Sequence, residues 1–455
     1  MMMTTMMMKV TNKLLLTITL ALCFTGQGFA QTLRSKLRGV SQIEHIKANP
    51  PGTEYGFKES YTFTFKQPID HQNPGTGSFK QFGVICFQGF DKPTVLYTRG
   101  YEHRGFAENP SNDLADNLDA NVIYMEHRYY GKSKVSRDPQ WKYLTIRQAC
   151  DDLHAIFQAL KPILPESWVS TGTSKDGNTA VFYSYFYPDD MNAVAAFCAP
   201  FQTTYLDERV GRYVLHNCGT EAERARMHAL LNRMLPESFY EKYAAYEMEK
   251  EGISEDECTS YTSYVKGTLN TFFSLFADYT EHDRALLIPS ESASDETLLT
   301  FRYEDLDDQL SRKKRAASDD EQNEYNDYLY TIQCLKEYGT FTYPYQELKV
   351  LEGTAFDRKY AEDPLVEEKD EWLIGKFDGS VSKAVLEQFL PTTHIPILLV
   401  YSHNDPWTAG KPTKVSGSVK ILINKAGGHD DYINDTDYYT ESMRDEIMNF
   451  ISSHL

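Results

Sequence analysis

Three residues of this 455-residue chain have the types and the setting to carry out acyl transfer: Ser174, Asp405 and His429. Ser174 lies in Gly172-Thr173-Ser174-Lys175-Asp176-Gly177, where a small residue lets the chain turn sharply and expose a hydroxyl. Asp405 lies in His403-Asn404-Asp405-Pro406-Trp407, and His429 in Ala426-Gly427-Gly428-His429-Asp430. A histidine can take the serine proton as Oγ attacks a carbonyl, while an acid fixes the imidazole tautomer and stabilises the imidazolium. Each segment also has a plainer reading. Serines in polar turns cap helices, Asn-Asp-Pro is a common turn former, and a single histidine in a loop needs no chemical role.

The elements around these residues decide between the readings. Trp168 to Thr171 reads as a strand, Gly172 to Gly177 as a turn, and Asn178 to Tyr187 as a helix. Tyr61 to Phe65 and Phe79 to Phe87, joined by the Asp70-to-Gly75 turn, read as an antiparallel entry hairpin. Thr94 to Thr98, Asn121 to Met125 and Ala193 to Cys198 are short apolar strands. From Thr145 to Lys161 apolar residues recur at helical spacing. Strand alternating with helix implies an α/β fold with a mostly parallel sheet. After Pro200 the pattern becomes helical, Tyr-rich and charged, and strands return at Pro396 to Tyr401 and Val419 to Asn424. A final amphipathic helix carries Met443, Ile447, Phe450 and Ile451.

Serine between strand and helix, with acid and histidine after later strands in that chain order, fits the α/β-hydrolase pattern. The expected organisation is a targeting segment at 1–30, a hydrolase domain in two parts at 31–200 and 381–455, and an inserted helical cap at 201–380. An oxyanion hole would use the Lys175 backbone N–H and one from Gly100 or Tyr101, in the loop after Thr94 to Thr98. Asp176 is a departure, because glycine is usual two residues after the nucleophile. Glu102 lies in the same loop, where it could pair with a substrate amino terminus or simply be solvated. Glu126, His127 and Arg128, just past a strand, are expected to form a buried hydrogen-bonded brace, since buried charge must be paired.

Gln67-Pro68-Ile69-Asp70-His71, the run Glu126-His127-Arg128-Tyr129-Tyr130-Gly131-Lys132-Ser133, Asp405-Pro406-Trp407 and the Gly428-His429 loop resemble the prolyl carboxypeptidase and dipeptidyl peptidase II family. Thr171-Gly172-Thr173-Ser174-Lys175, followed by Tyr185-Phe186-Tyr187-Pro188-Asp189-Asp190, is more similar to its bacterial sister, the secreted tripeptidyl aminopeptidases of the PS-10 type. That family usually reads Ser-Lys-Gly-Gly, so Asp176 is again the exception. The resemblance implies a serine exopeptidase that releases short peptides, tripeptides first, from the N-terminus of oligopeptides. A prolyl-type carboxypeptidase or dipeptidyl peptidase is the alternative that shares these motifs. An esterase is a third, against which stands a cap lacking the apolar face that lipids favour. A catalytically silent peptide-binding protein is the reading that Asp176 motivates.

Composition narrows the partners and the compartment. The net charge of −19 disfavours nucleic acid and anionic membranes. Lys9 and Lys13, the apolar run Leu14 to Leu22 and Gly28-Phe29-Ala30 read as a signal peptide, so export to the periplasm or medium is expected. Lipid attachment at Cys23 is the alternative. No later run is long enough for a membrane span. The other cysteines, at 86, 150, 198, 218, 258 and 334, could pair in an exported protein or stay as buried thiols. None has C-x-x-C spacing, so no structural metal is expected, and the Ser-Asp-His chemistry needs no cofactor.

Overall fold

Thr94-Val95-Leu96-Tyr97-Thr98 and Asn121-Val122-Ile123-Tyr124-Met125 lack the polar alternation of a one-sided strand. Both lie inside a sheet covered on its two faces, which is what a central parallel strand requires. A computed structural model describes residues 32–49, 57–102, 113–136, 138, 140–303, 317–364, 366–429, 433–436 and 438–455. The expected leader at 1–30, with Cys23, lies outside the described residues. Eleven strands are described: β1 Ile43–Ala48, β2 Glu59–Pro68, β3 Ser78–Phe87, β4 Thr94–Thr98, β5 Asn121–Met125, β6 Trp168–Thr173, β7 Ala193–Phe197, β8 Leu206–Asp207, β9 Thr340–Phe341, β10 Ile397–Ser402 and β11 Val419–Asn424. Nine of them form one sheet in the order β1-β2-β3-β5-β4-β6-β7-β10-β11, and β8 and β9 pair separately.

The sheet is parallel from β5 to β11 and antiparallel across β1, β2 and β3. This is the α/β-hydrolase arrangement, with antiparallel strands at the N-terminal edge. Alternation along the strands builds the two core layers. Val95, Val122 and Val169 pack on the side of the helix Glu441–Ser452, with Ile447 and Ile451. Leu96 and Ile123 pack on the other side, against Ile146, Leu153 and Ile156 of the helix Ile146–Leu160.

The structure extends the expected entry hairpin by β1, which pairs with β2 and was not read as a strand. It also moves the helix after Ser174 forward. That helix is Lys175–Phe186, so strand passes to helix across the serine itself and the turn expected at Gly172 to Gly177 is compressed to one residue.

Between β7 and β10 the described chain is mainly helical, with helices Glu208–His216, Glu221–Met234, Glu237–Glu251 and Tyr261–Asp278. These share their own apolar core around Leu230, Tyr264, Phe272 and Leu298. The later helix Ala317–Gln333 and the turn Cys334–Tyr338 instead pack on the sheet's layer, through Leu329, Ile332 and Leu335 beside Tyr129 and Tyr130. All six cysteines among the described residues are free thiols.

Candidate active site

The elbow is built by what glycine leaves out. Ser174 has φ 58 and ψ −127, a backbone conformation that costs a side-chain-bearing residue energy, and its N–H is held by the Phe197 carbonyl at 2.8 Å. A Cβ on Gly172 would lie 2.4 Å from the Asp176 carbonyl carbon, so only glycine lets strand and helix meet this closely. Ser174 is half-buried and sits at the carboxyl end of β6.

Asp176 faces away from the nucleophile's outer side. Its Oδ1 accepts the Gly100 N–H at 2.5 Å, and its Oδ2 pairs with Arg99 Nη1 at 3.0 Å. The glycine usual at this position is therefore dispensable here, because the side chain has a place to go. The same bond occupies the Gly100 N–H, one of the two N–H groups expected of that loop as oxyanion donors. The Lys175 N–H opens a helix, where backbone donors have no intrahelical acceptor.

Asp405 is fully buried past β10. It caps the short helix Pro406–Gly410, its Oδ1 accepting the Trp407 N–H at 3.0 Å. Its Oδ2 lies 3.0 Å from His429 Nδ1, and His429 follows β11. The contact is close but not aligned as a hydrogen bond, a looseness common before substrate tightens a site. Because β6, β7, β10 and β11 are successive parallel neighbours, Ser174, Asp405 and His429 all emerge at one edge of the sheet. Burial alone would push the His429 imidazole down. The Asp405 carboxylate, with a smaller contribution from Cys198, outweighs it and holds the imidazole well above its usual value.

The helical region reaches this edge directly. The His429 N–H donates to the Ala277 carbonyl at 2.8 Å, and the Gly219 N–H to Asn404 Oδ1 at 3.2 Å. Phe273 and Phe341 pack on Trp407, whose ring centroid is 6.5 Å from that of His429. A cavity of about 270 Å³ lies within the helical region, lined by Tyr205, Lys266, Asn270, Tyr330, Phe341 and Tyr343 among others, with Ser174, Asp405 and His429 outside its lining.

Glu126, His127 and Arg128 follow the carboxyl end of β5, two strands from β6, and the His127 N–H donates to the Tyr101 carbonyl at 3.0 Å. Arg128 is fully buried. Its guanidinium grips Asp152 with two bonds of 2.7 and 2.8 Å and also donates to the carbonyls of Ile69, Tyr143 and Pro68. Glu126 accepts from the Lys132 N–H and the Ser133 hydroxyl. His127 Nδ1 donates to the Arg128 carbonyl, and burial, with the charges of Lys175 and Arg128, pushes its pKa down to about 3. Glu102 is buried beside this group, and its backbone carbonyl accepts from Arg99.

Two residues were assigned no side-chain role from the sequence. Cys198, with φ 46, brings its thiol within 4.8 Å of the Asp405 and His429 donor atoms. These three are the group among the described residues that could hold a metal ion, but a ligating thiolate would need the proton of a thiol that burial pushes up to about 12. Its place at the carboxyl end of β7 was the available signal. Lys175 is the second. Its ammonium is enclosed, where only its backbone N–H had been considered.

A family profile described as PS-10 peptidase S37 matches residues 30–438. The chain is 31% identical over 263 residues to a prolyl tri/tetrapeptidyl aminopeptidase of Streptomyces mobaraensis, an alignment covering 55% of this chain and 54% of that protein. It is 27% identical over 198 residues to the human lysosomal Pro-X carboxypeptidase, covering 40% of each. The chain thus spans about half or less of the length of these curated relatives. Among solved structures it is similar to a proline iminopeptidase of Mycobacterium smegmatis, with 14% identity, a TM-score of 0.43 and coverage of 86% of this chain and 98% of that one.

Proposed function

The chain belongs to the PS-10 peptidase S37 family, and from that premise we propose that it is an exported serine aminopeptidase releasing short peptides, chiefly tripeptides, from the N-terminus of oligopeptides. Ser174 attacks the scissile carbonyl, His429 takes its proton and returns it to the leaving amine, and Asp405 orients the imidazole. The Lys175 and Tyr101 N–H groups receive the oxyanion. The observation that carries the reading is the approach of His429 Nδ1 to Asp405 Oδ2 at the sheet edge where the strained Ser174 emerges. Access past the helical region, which holds both the His429 and Asp405 loops, suits chain ends better than folded proteins. Glu102 is proposed as the partner of the substrate ammonium. Purified protein should release fluorophore from tripeptidyl-coumarin amides. Trimming from the C-terminus, seen by mass spectrometry of one peptide, would replace this reading with the carboxypeptidase one.

The pH profile carries the signature of the buried pair. Only neutral His429 can act as base, and its pKa is raised, so the rate should climb with pH above the usual histidine range. In Asp405→Asn the raising charge is gone and burial remains. The climb should then move to lower pH while turnover drops on the order of 10⁴-fold. A climb that stays in place in Asp405→Asn would dissociate it from this pair.

The contacts of Asp176 argue against a silent site. Asp176→Gly should strand Arg99, lower stability by about 2–4 kcal/mol and reduce activity, as followed by thermal unfolding and turnover of one substrate. Hydrolysis appearing only in Asp176→Gly would favour a catalytically silent binding protein.

A further inference from the structure

The Lys175 side chain is a cation placed where solvation is least available. It is 3% exposed, and its Nζ donates to the Gly100 carbonyl at 2.5 Å, to the Tyr130 hydroxyl at 3.3 Å and to Gln333 Oε1. The rings of Tyr101, Tyr130, Tyr330 and Tyr338 surround it, with centroids 4.3, 4.7, 5.7 and 5.4 Å away. Such a cage replaces water with ring faces and carbonyl dipoles. Its walls come from three separate parts of the chain. Gly100 and Tyr101 belong to the loop after β4, Tyr130 to the loop after β5, and Tyr330, Gln333 and Tyr338 to the helical region.

We propose that Lys175 is a positioning residue whose ammonium ties the helical region to the loop carrying the Tyr101 N–H, so that the oxyanion donors are set only when Tyr330, Gln333 and Tyr338 are seated. The proposal rests on the reading of the Lys175 and Tyr101 N–H groups as those donors. The Gly100 carbonyl and the Tyr101 N–H belong to one planar trans peptide and point opposite ways, so the Lys175 ammonium on that carbonyl sets the direction of the N–H. Asp176 holds the preceding peptide through the Gly100 N–H. A segment more than 150 residues away in sequence thereby fixes the geometry of the elbow.

Protonation gives this device a readable signature. Burial pushes the Lys175 ammonium down to about 7, against the upward pull of Cys334, Asp176 and Glu102. Its aromatic neighbours Tyr101, Tyr130, Tyr330 and Tyr338 are all held well above the usual phenol value by burial. The Cys334 thiol is pushed up to about 12, and His127 down to about 3. Asp176 on its own helix and Glu102 in the loop complete the facing groups. As pH rises through about 7 the ammonium is lost and the Gly100 carbonyl loses its donor, so the climb set by His429 is cut off and the profile becomes a bell whose falling limb needs Lys175.

The test uses the intact chain with Lys175→Met, which keeps the length and removes the charge, and with Gln333→Glu and Gln333→Leu. Both a tripeptidyl-coumarin amide and a small ester serve as substrates. Lys175→Met should lower kcat on both on the order of 10- to 100-fold, with KM within about threefold, the pattern of a displaced oxyanion donor. The falling limb should vanish with it, leaving the climb set by His429 alone. Gln333→Glu should move that limb upward by about 1–3 pH units, because a carboxylate keeps the ammonium charged. Gln333→Leu should lower kcat without removing the limb. Should Lys175→Met not fold, the two Gln333 variants decide the matter. Unchanged kcat and an unmoved limb in either Gln333 variant, or unchanged kcat in a folded Lys175→Met, would overturn the positioning role. Failure of the underlying hydrolase reading looks different, as no turnover by the unaltered protein.

Discussion

Ser174→Ala should abolish peptide hydrolysis, with turnover down on the order of 10⁴- to 10⁶-fold, while the protein stays folded and binds substrate as before. The loss is large because Ser174 is the residue on the strained elbow between β6 and the helix Lys175–Phe186, and because His429 without a nucleophile can only activate water. Ser174→Gly separates chemistry from folding more sharply. Glycine tolerates φ 58 with ψ −127, so this variant should be as inactive as alanine yet more stable by about 1–3 kcal/mol. Thermal unfolding of the three proteins checks the pairing of opposite effects. A glycine variant less stable than wild type would mean that the serine side chain supports the elbow instead of being carried there at a cost.

The second large effect lies beneath the site. Arg128→Met should destabilise the protein by about 3–5 kcal/mol, because it leaves the Asp152 carboxylate fully buried with His71 as its one remaining side-chain partner. Asp152→Asn should cost a similar amount by stranding the guanidinium. The double variant should lose clearly less than the sum of the two, since neither charge is then buried alone. Activity per folded molecule should change little, as the guanidinium is bound to Asp152 and to the carbonyls of Pro68, Ile69 and Tyr143, and not to Ser174, Asp405 or His429. Denaturant unfolding supplies the first comparison and active-site titration the second. A collapse of kcat in fully folded Arg128→Met would move Arg128 from brace to catalysis.

How much of this was legible in the sequence depended on distance along the chain. Ser174, Asp405 and His429 could be read because each follows a short apolar strand, and strand ends are local signals. The parallel sheet followed from the same runs. The helix start at Lys175 was misplaced because Ser-Lys-Asp-Gly has turn composition, whereas the fold passes from strand to helix through one strained residue. β1 was missed because Ile43–Ala48 carries Glu44, His45 and Lys47 and has only β2 beside it. The role of Asp176 was unreadable for another reason. Its partners Arg99 and Gly100 are more than 70 residues away, so its carboxylate looked like a defect in the elbow when it is an anchor for the neighbouring loop. The enclosure of Lys175 depends on contacts longer still, and nothing local marks a lysine that will be caged. Arg128 was marked as needing a partner, but Asp152 sits on a helix whose apolar spacing drew attention to its neighbours.

We propose Ser174 as a nucleophile activated by His429. The most direct measurement is to treat folded protein with a fluorophosphonate, digest it and locate the adduct by mass spectrometry, with wild type, Ser174→Ala and His429→Ala in parallel. A single adduct is expected on Ser174 in wild type and none in Ser174→Ala, with labelling slowed on the order of 100-fold or more in His429→Ala, where the base is missing. Labelling on another serine, or labelling of Ser174 at the same rate without His429, would contradict it.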